Sequence, residues 1–133
     1  MSDSINYNAW IQVAKDDLLV AHELHAEKHF VHRAILMHSQ QAIEKYLKAF
    51  FLFHNQQIIR THDLLILCKH CENYDEAFRS LEENLAWISV NYVQSRYPDN
   101  FEDIDLEDAK RALKIATEFE QFILPKFALK NNS

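Results

Sequence analysis

Apolar residues recur at steps of three and four along four long segments of the chain, which is the period of one face of an α-helix. The first segment covers about residues 8–28 and the second about residues 30–54. The third begins near Asp75 and the fourth near Asp105, while a short apolar segment lies at residues 64–67. The pattern therefore predicts four long helices and one short helix.

Polar residues and prolines indicate where these helices begin and end. Thr61 is the predicted N-cap of the short helix, and the acidic residue two positions later favours its positive end. Pro98 disfavours helix at the residue before it, so the third long helix should stop by about Arg96. Asp105 is the predicted N-cap of the last helix, which Pro125 should end or kink.

The composition favours the same fold class. The chain has no glycine and two prolines, so tight hairpins that require a positive φ lack a suitable residue. Its 133 residues, 48% of them hydrophobic, are enough for one domain with its own core. Short connectors favour antiparallel neighbours. We therefore predict a single-domain, all-α, up-and-down antiparallel bundle of about five helices, with a helix content of about three-quarters.

The charge and the first residues of the chain limit its partners and its location. A formal net charge of −6 gives no overall attraction for polyphosphate, so we do not expect tight non-specific binding of nucleic acid. The first residues lack the basic and apolar regions of a signal peptide, and no apolar run approaches the ~20 residues of a membrane span. We expect a cytoplasmic protein with no membrane partner.

The second predicted helix carries a polar stripe beside its broad apolar face. His38, Gln41, Lys45 and Lys48 follow one another at steps of three and four, so they share one side of the helix. One interpretation is that these side chains line a ligand-binding groove. The alternative is a solvated surface, to which Glu44 and Lys48 contribute an ion pair at i, i+4.

A carboxylate interrupts the apolar stripe of the first helix. Asp17 lies between apolar neighbours, where an unpaired carboxylate would be costly and would tend to take up a proton. Lys45 is a candidate partner for it. The alternative is that Asp17 lies at the edge of the stripe and is partly exposed to water.

Three short sequences, taken together, carry a family resemblance. They are Gln40–Ala49 (QQAIEKYLKA), Thr61–Leu64 (THDL) and Ser95–Asp99 (SRYPD). In their order and spacing they resemble the HEPN domain family, and the resemblance covers about residues 8–124. It implies a bundle of about five helices that commonly forms a homodimer, and a frequent partner, a minimal nucleotidyltransferase encoded by a neighbouring gene. Many relatives act in toxin–antitoxin or defence systems.

The ribonuclease branch of this family uses an arginine that is followed, a few residues later, by a histidine. Arg96 matches the arginine, but no histidine occurs in residues 97–103. A metal-independent ribonuclease needs an acid or base with a pKa near neutrality, and histidine suits that role. The resemblance therefore implies an incomplete motif, and we expect a protein that is not an enzyme. His62 is the candidate substitute for the missing histidine.

Two groups of potential metal ligands occur in the first half of the chain. A series of four histidines could bind a metal only if they lay on one unbroken helix. The family pattern places the first interhelical turn near residues 28–30, and this turn would divide the series. Cys68 and Cys71 form a single CxxC pair with no second pair, so we interpret them as packing residues. We expect neither a metal nor a cofactor. The histidines of the series are His22, His25, His29 and His32.

The sequence leaves three interpretations of function. We favour a HEPN-type partner protein that binds a nucleotide or is modified by a nucleotidyltransferase in a two-gene system. The second is a ribonuclease toxin in which His62 and Arg96 are catalytic and RNA is the ligand. The third is a purely structural interaction module. The candidate ligand-binding residues are Gln41, Lys45, His62, Arg96 and Tyr97.

The favoured interpretation includes a specific geometry. Lys45, His62 and Arg96 should converge on one anion-binding cleft, and the helix beginning at Thr61 should add backbone N–H donors and its positive dipole end. Arg96 and His62 also have alternative roles. Arg96 can instead close the end of its own helix by bonding the terminal carbonyls, and His62 can cap or pack against a neighbouring helix.

Overall fold

The structure is a computed structural model that describes residues 7–27, 31–97 and 104–129. Helices contain 82% of these residues, and no strand occurs among them. The prediction of an all-α bundle with about five helices is confirmed. The α-helices are α1 (Tyr7–Ala26), α2 (His32–Phe53), α3 (Leu64–Cys71), α4 (Glu82–Ser95) and α5 (Leu106–Leu129).

The start of α5 and the end of α4 agree with the sequence. Asp105 Oδ1 accepts the backbone N–H of Asp108 at 2.9 Å, and Asp108 Oδ2 accepts the backbone N–H of Asp105 at 3.2 Å, so two orphan donors are satisfied reciprocally. Helix α4 ends at Ser95, as predicted. Helix α5, however, does not end at Pro125 but continues to Leu129. A proline removes one helical hydrogen bond, and burial of the apolar residues around it keeps the last turn in place.

The start of α3 corrects the predicted cap. The N-cap is Asp63, whose Oδ1 accepts the backbone N–H groups of Leu65 at 2.9 Å and Ile66 at 3.4 Å. Thr61 lies two residues earlier, and its Oγ1 accepts the backbone N–H of Asp63 at 3.1 Å. Threonine and aspartate are both good N-caps. Asp63 takes this role because it directly precedes the first helical residue.

The segment before α4 also differs from the prediction of one continuous helix from Asp75. Residues Glu76–Leu81 form a 3₁₀-helix, and α-helical geometry begins at Glu82. Asp75 caps the 3₁₀-helix by accepting the backbone N–H of Ala77 at 2.9 Å. The tighter winding places Phe78, which is fully buried, in the core.

Helix α2 is the centre of the bundle and packs against α1, α3, α4 and α5. Helices α1 and α2 are antiparallel, because Tyr7 at the start of α1 contacts Phe53 at the end of α2. Helix α3 departs from the antiparallel arrangement and runs in the same direction as α2. His62, before α3, contacts Glu44, whereas His70 near its end lies beside Phe51. The connector between α2 and α3 therefore returns along α2.

The core is aromatic at the end of the bundle where α2 finishes. Phe50 contacts the rings of Phe78 and Phe127, and Phe53 contacts Phe127 as well. Cys68 and Cys71 are fully buried, which confirms that they are packing residues. No helix in the described ranges is both long enough and apolar enough to span a membrane. The polar residues of α2 lie nearer the middle of the helix, away from this aromatic end.

Candidate ligand-binding site

Glu44 is a buried acceptor beside the polar stripe on α2. Its side chain is 4% exposed and accepts Lys48 Nζ at 2.8 Å, His62 Nδ1 at 3.0 Å and Gln40 Nε2 at 3.2 Å. Burial by itself would raise the pKa of Glu44, but the hydrogen bonds from Lys48 and His62 outweigh it and leave the pKa below its usual value. Glu44 is therefore ionised and acts as an acceptor.

The contact with Glu44 sets the orientation of the His62 ring. Nδ1 lies 3.0 and 3.1 Å from the two carboxylate oxygens, so Nε2 is the ring nitrogen that a ligand can reach. The side chain is 60% exposed. Gln40 Nε2 also donates to the backbone carbonyl of His62 at 3.1 Å, which fixes the backbone beside the ring. His62 thus packs on α2 through its carboxylate partner and presents its other edge to water.

A chain of hydrogen bonds leads from His62 to the end of α4. Beyond Glu44 and Gln40, Gln41 Nε2 donates to Gln40 Oε1 at 3.0 Å and to the Tyr92 hydroxyl at 3.3 Å. The guanidinium of Arg96 lies over the Tyr92 ring, 5.8 Å from its centroid. Side chains in contact therefore join His62 with Arg96, although the two residues are distant in sequence.

The end of α4 is held by an arginine that the sequence did not indicate. Arg33, near the start of α2, donates to the backbone carbonyl of Ser95 and, at 3.5 Å, to that of Tyr97. These carbonyls lie at the end of the helix, where one interpretation of the sequence placed the bonds of Arg96. Within the described ranges the Arg96 guanidinium bonds no carbonyl or carboxylate. No local sequence signal identifies Arg33, because its partners lie more than sixty positions away.

The structure pairs Lys45 with a carboxylate. Lys45 Nζ lies 2.6 Å from Asp17 Oδ2, and His38 Nδ1 lies 2.9 Å from Asp17 Oδ1. The Asp17 side chain is 13% exposed, so the predicted pairing of a largely buried Asp17 with Lys45 is confirmed. The charge of Lys45 is thereby balanced within the chain.

The backbone N–H groups at the N-terminus of α3 are hydrogen-bonded within the chain. Asp63 accepts two of its backbone N–H groups, and Ser89 Oγ accepts the N–H of Leu64 at 3.2 Å. These bonds satisfy the first turn internally, so the donors that we expected it to add to an anion site are already occupied. Arg96 is then the cation of the predicted site that no carboxylate balances in the described part of the chain.

The histidine series does not lie on one helix. Helix α1 ends at Ala26 and α2 begins at His32, which confirms the predicted interruption, and His29 is outside the described residues. His22 Nε2 lies 3.1 Å from the Thr117 hydroxyl. Within the described ranges no group of three or more histidine, cysteine or acidic side chains is arranged to hold a metal ion.

Comparison with known families tests the resemblance drawn from the three short sequences. The sequence model of the HEPN domain matches residues 7–126, which include α1 to α4 and most of α5. The chain belongs to the HEPN domain family. Searches of curated proteins and of solved structures found no match to it. The resemblance inferred from the three short sequences is therefore confirmed at the level of the family.

The chemistry available in this HEPN domain follows from its charges and donors. Glu44 and Asp17 balance Lys48 and Lys45, which leaves the guanidinium of Arg96 as the strongest donor group for a ligand. A planar guanidinium binds a phosphate through two parallel hydrogen bonds. One unbalanced guanidinium offers donors for a single oxyanion rather than for a long polyanion.

Proposed function

We propose that this HEPN domain binds a nucleotide through a phosphate group held by Arg96, and that it acts as a partner protein in a two-gene system. One observation carries the proposal. The Arg96 guanidinium makes no bond to a carbonyl or carboxylate in the described residues, and it lies at the end of the hydrogen-bonded chain that begins at His62. Arg33 already holds the carbonyls at the end of α4, so Arg96 is available to a ligand.

The other candidate residues have distinct roles in this proposal. His62 Nε2 contacts the phosphate or the ribose. Gln41 uses its amide nitrogen within the chain, so its Oε1 accepts from the ribose or base. Tyr97 is 57% exposed and offers a ring face to the base. Lys45 adds a smaller electrostatic contribution, because Asp17 offsets its charge.

The proposed partner is a minimal nucleotidyltransferase, encoded by the neighbouring gene in a toxin–antitoxin or defence-like system. It would use this chain as a nucleotide-binding partner or as a target for modification. Membership of the HEPN family supports this proposal. Val90 and Val93 are large exposed side chains three residues apart near the end of α4, and such an apolar pair suits a protein partner or the second copy of a homodimer.

Chemical-shift mapping with ATP tests the proposed binding. The backbone signals of Gln41, His62, Arg96 and Tyr97 should shift together and saturate as ATP is added to the millimolar range. The exposed residues of α5 should not shift. A spectrum that does not change at millimolar ATP would favour the purely structural interaction module instead.

A second candidate function is RNA cleavage, and the orientation of His62 favours it. An imidazole whose Nδ1 is held by a buried carboxylate presents Nε2 as a general acid or base, which is the arrangement found in many hydrolytic sites. The test is cleavage of RNA by the purified protein without added metal. His62→Ala and Arg96→Ala should each abolish the cleavage, whereas persistence of the activity in both variants would assign it to a contaminant.

A further inference from the structure

The hydrogen-bonded chain beside Arg96 has a fixed direction, which is set by Glu44. An ionised carboxylate can only accept, and the His62 backbone carbonyl can only accept as well. Gln40 places one side-chain amide atom 3.2 Å from the first and 3.1 Å from the second, so that atom must be its nitrogen. The oxygen of Gln40 then faces the opposite way, toward Gln41, and accepts from it at 3.0 Å.

The same reasoning assigns the hydrogens of Gln41 and Tyr92. The Gln41 amide nitrogen carries two hydrogens, and Gln40 takes one of them. The other points to the Tyr92 hydroxyl oxygen at 3.3 Å, so this hydroxyl accepts. Its own hydrogen has no acceptor within the described ranges, although Tyr92 is 8% exposed. A hydroxyl hydrogen that lacks an acceptor on a largely buried tyrosine is uncommon and costs free energy unless a ligand or water supplies one.

We infer that the Tyr92 hydroxyl is a second hydrogen-bond donor to the phosphate group that Arg96 binds. This inference rests on the proposed function and deepens it. The guanidinium of Arg96 lies over the ring of the same tyrosine, 5.8 Å from its centroid, so one ligand of phosphate size can meet both groups. A tetrahedral oxyanion has enough acceptor oxygens for two guanidinium bonds and one hydroxyl bond.

The inference adds a requirement on the class of ligand. In this assignment Arg96 and Tyr92 both donate to one ligand, so the site selects a group with several acceptor oxygens, such as a phosphate.

Titration calorimetry of the full chain with ATP tests the inference. Tyr92→Phe removes the hydroxyl and keeps the ring under Arg96, and it should weaken ATP binding about tenfold to a hundredfold, the effect of one hydrogen bond to a charged group. Tyr74→Phe is the matched control, because Tyr74 is 42% exposed and stacks on His54, away from the chain of hydrogen bonds. Equal ATP affinity of Tyr92→Phe and the unmodified protein would overturn the inference.

A second variant keeps the tyrosine and changes the direction of its hydroxyl. Gln41→Glu places at this position a carboxylate that can only accept, so the Tyr92 hydrogen should turn toward residue 41 and away from the ligand. The loss of ATP affinity caused by Gln41→Glu should therefore be smaller in a Tyr92→Phe background than in the unmodified protein. Equal losses in both backgrounds would contradict the inference.

Arg96→Ala separates this inference from the proposed function. If Arg96→Ala weakens ATP binding and Tyr92→Phe does not, the proposed function stands and the assignment of Tyr92 is wrong. If the unmodified protein does not bind ATP, both are wrong.

Discussion

The Nζ atom of Lys45 lies 2.6 Å from Oδ2 of Asp17, and the two residues come from the two helices that start the bundle. The same carboxylate holds His38 at 2.9 Å. Asp17 therefore fixes the positions of two polar side chains of α2. It also balances the charge of Lys45, which lies one turn from Gln41. This pairing makes Asp17 a residue that stabilises the packing of α1 on α2. In the proposed function, ligand binding then depends mainly on Arg96.

Replacing Asp17 with alanine should destabilise the fold. Lys45 and His38 would lose their common partner in a largely buried position, and leaving such groups unpaired costs about 1–3 kcal/mol. Urea unfolding followed by circular dichroism measures this free energy. Asp16→Ala is the matched control on the exposed side of α1 and should change stability by less than ~0.5 kcal/mol. Similar stabilities of the two variants would show that the pair contributes nothing.

Glu44 should make the stability of the protein depend on pH in the acid range. Hydrogen bonds from Lys48 and His62 lower its pKa in the folded state below the ordinary value of 4.5, despite the opposing effect of burial. The stabilisation is therefore complete above pH 4.5 and is lost as the pH falls through the lower folded-state pKa. Urea unfolding of the unmodified protein and of Glu44→Gln at several pH values measures it. Their difference in unfolding free energy should shrink as the pH falls below this range, and a constant difference would contradict the assignment.

The two cysteines should be unreactive in the folded protein. Burial, followed by the negative charges of Glu72 and Glu82, raises the pKa of Cys68 to about 12, and burial raises the pKa of Cys71 as well. Since the thiolate is the nucleophile, a thiol reagent at pH 8 should label neither residue until the protein unfolds. Spectrophotometric labelling with and without denaturant checks this. Rapid labelling of the native protein would mean that α3 is not packed as described.

The fold could be predicted from the sequence because its signals are local. The helical period located the long helices, and Asp105 and Pro98 placed two of their ends. Choosing Asp63 over Thr61 as the cap of α3 required the backbone, since both residue types cap helices well. The direction of α3 relative to α2 depends on how the connector packs, which no short sequence signal reports.

The site was less predictable than the fold, because its contacts join helices that are distant in sequence. The burial of Asp17 within an apolar stripe gave a physical reason to look for a cation, and Lys45 fulfils that role. No comparable reason pointed to the contacts between Gln41 and Tyr92 or between Arg33 and the end of α4. These contacts depend on the register between α2 and α4, which tertiary packing determines.

Titration calorimetry of ATP with the unmodified protein and with Arg96→Ala tests the central claim most directly. Arg96→Ala should weaken binding by about 1.5–3 kcal/mol, the range for a hydrogen bond to a charged group, without changing the far-ultraviolet circular dichroism spectrum. Arg111→Ala is the matched control, because Arg111 is also an exposed arginine over an aromatic ring, 4.0 Å from the centroid of Trp87. The account predicts an unchanged affinity for Arg111→Ala. Equal affinities of Arg96→Ala and the unmodified protein, or no binding of ATP by either, would contradict it.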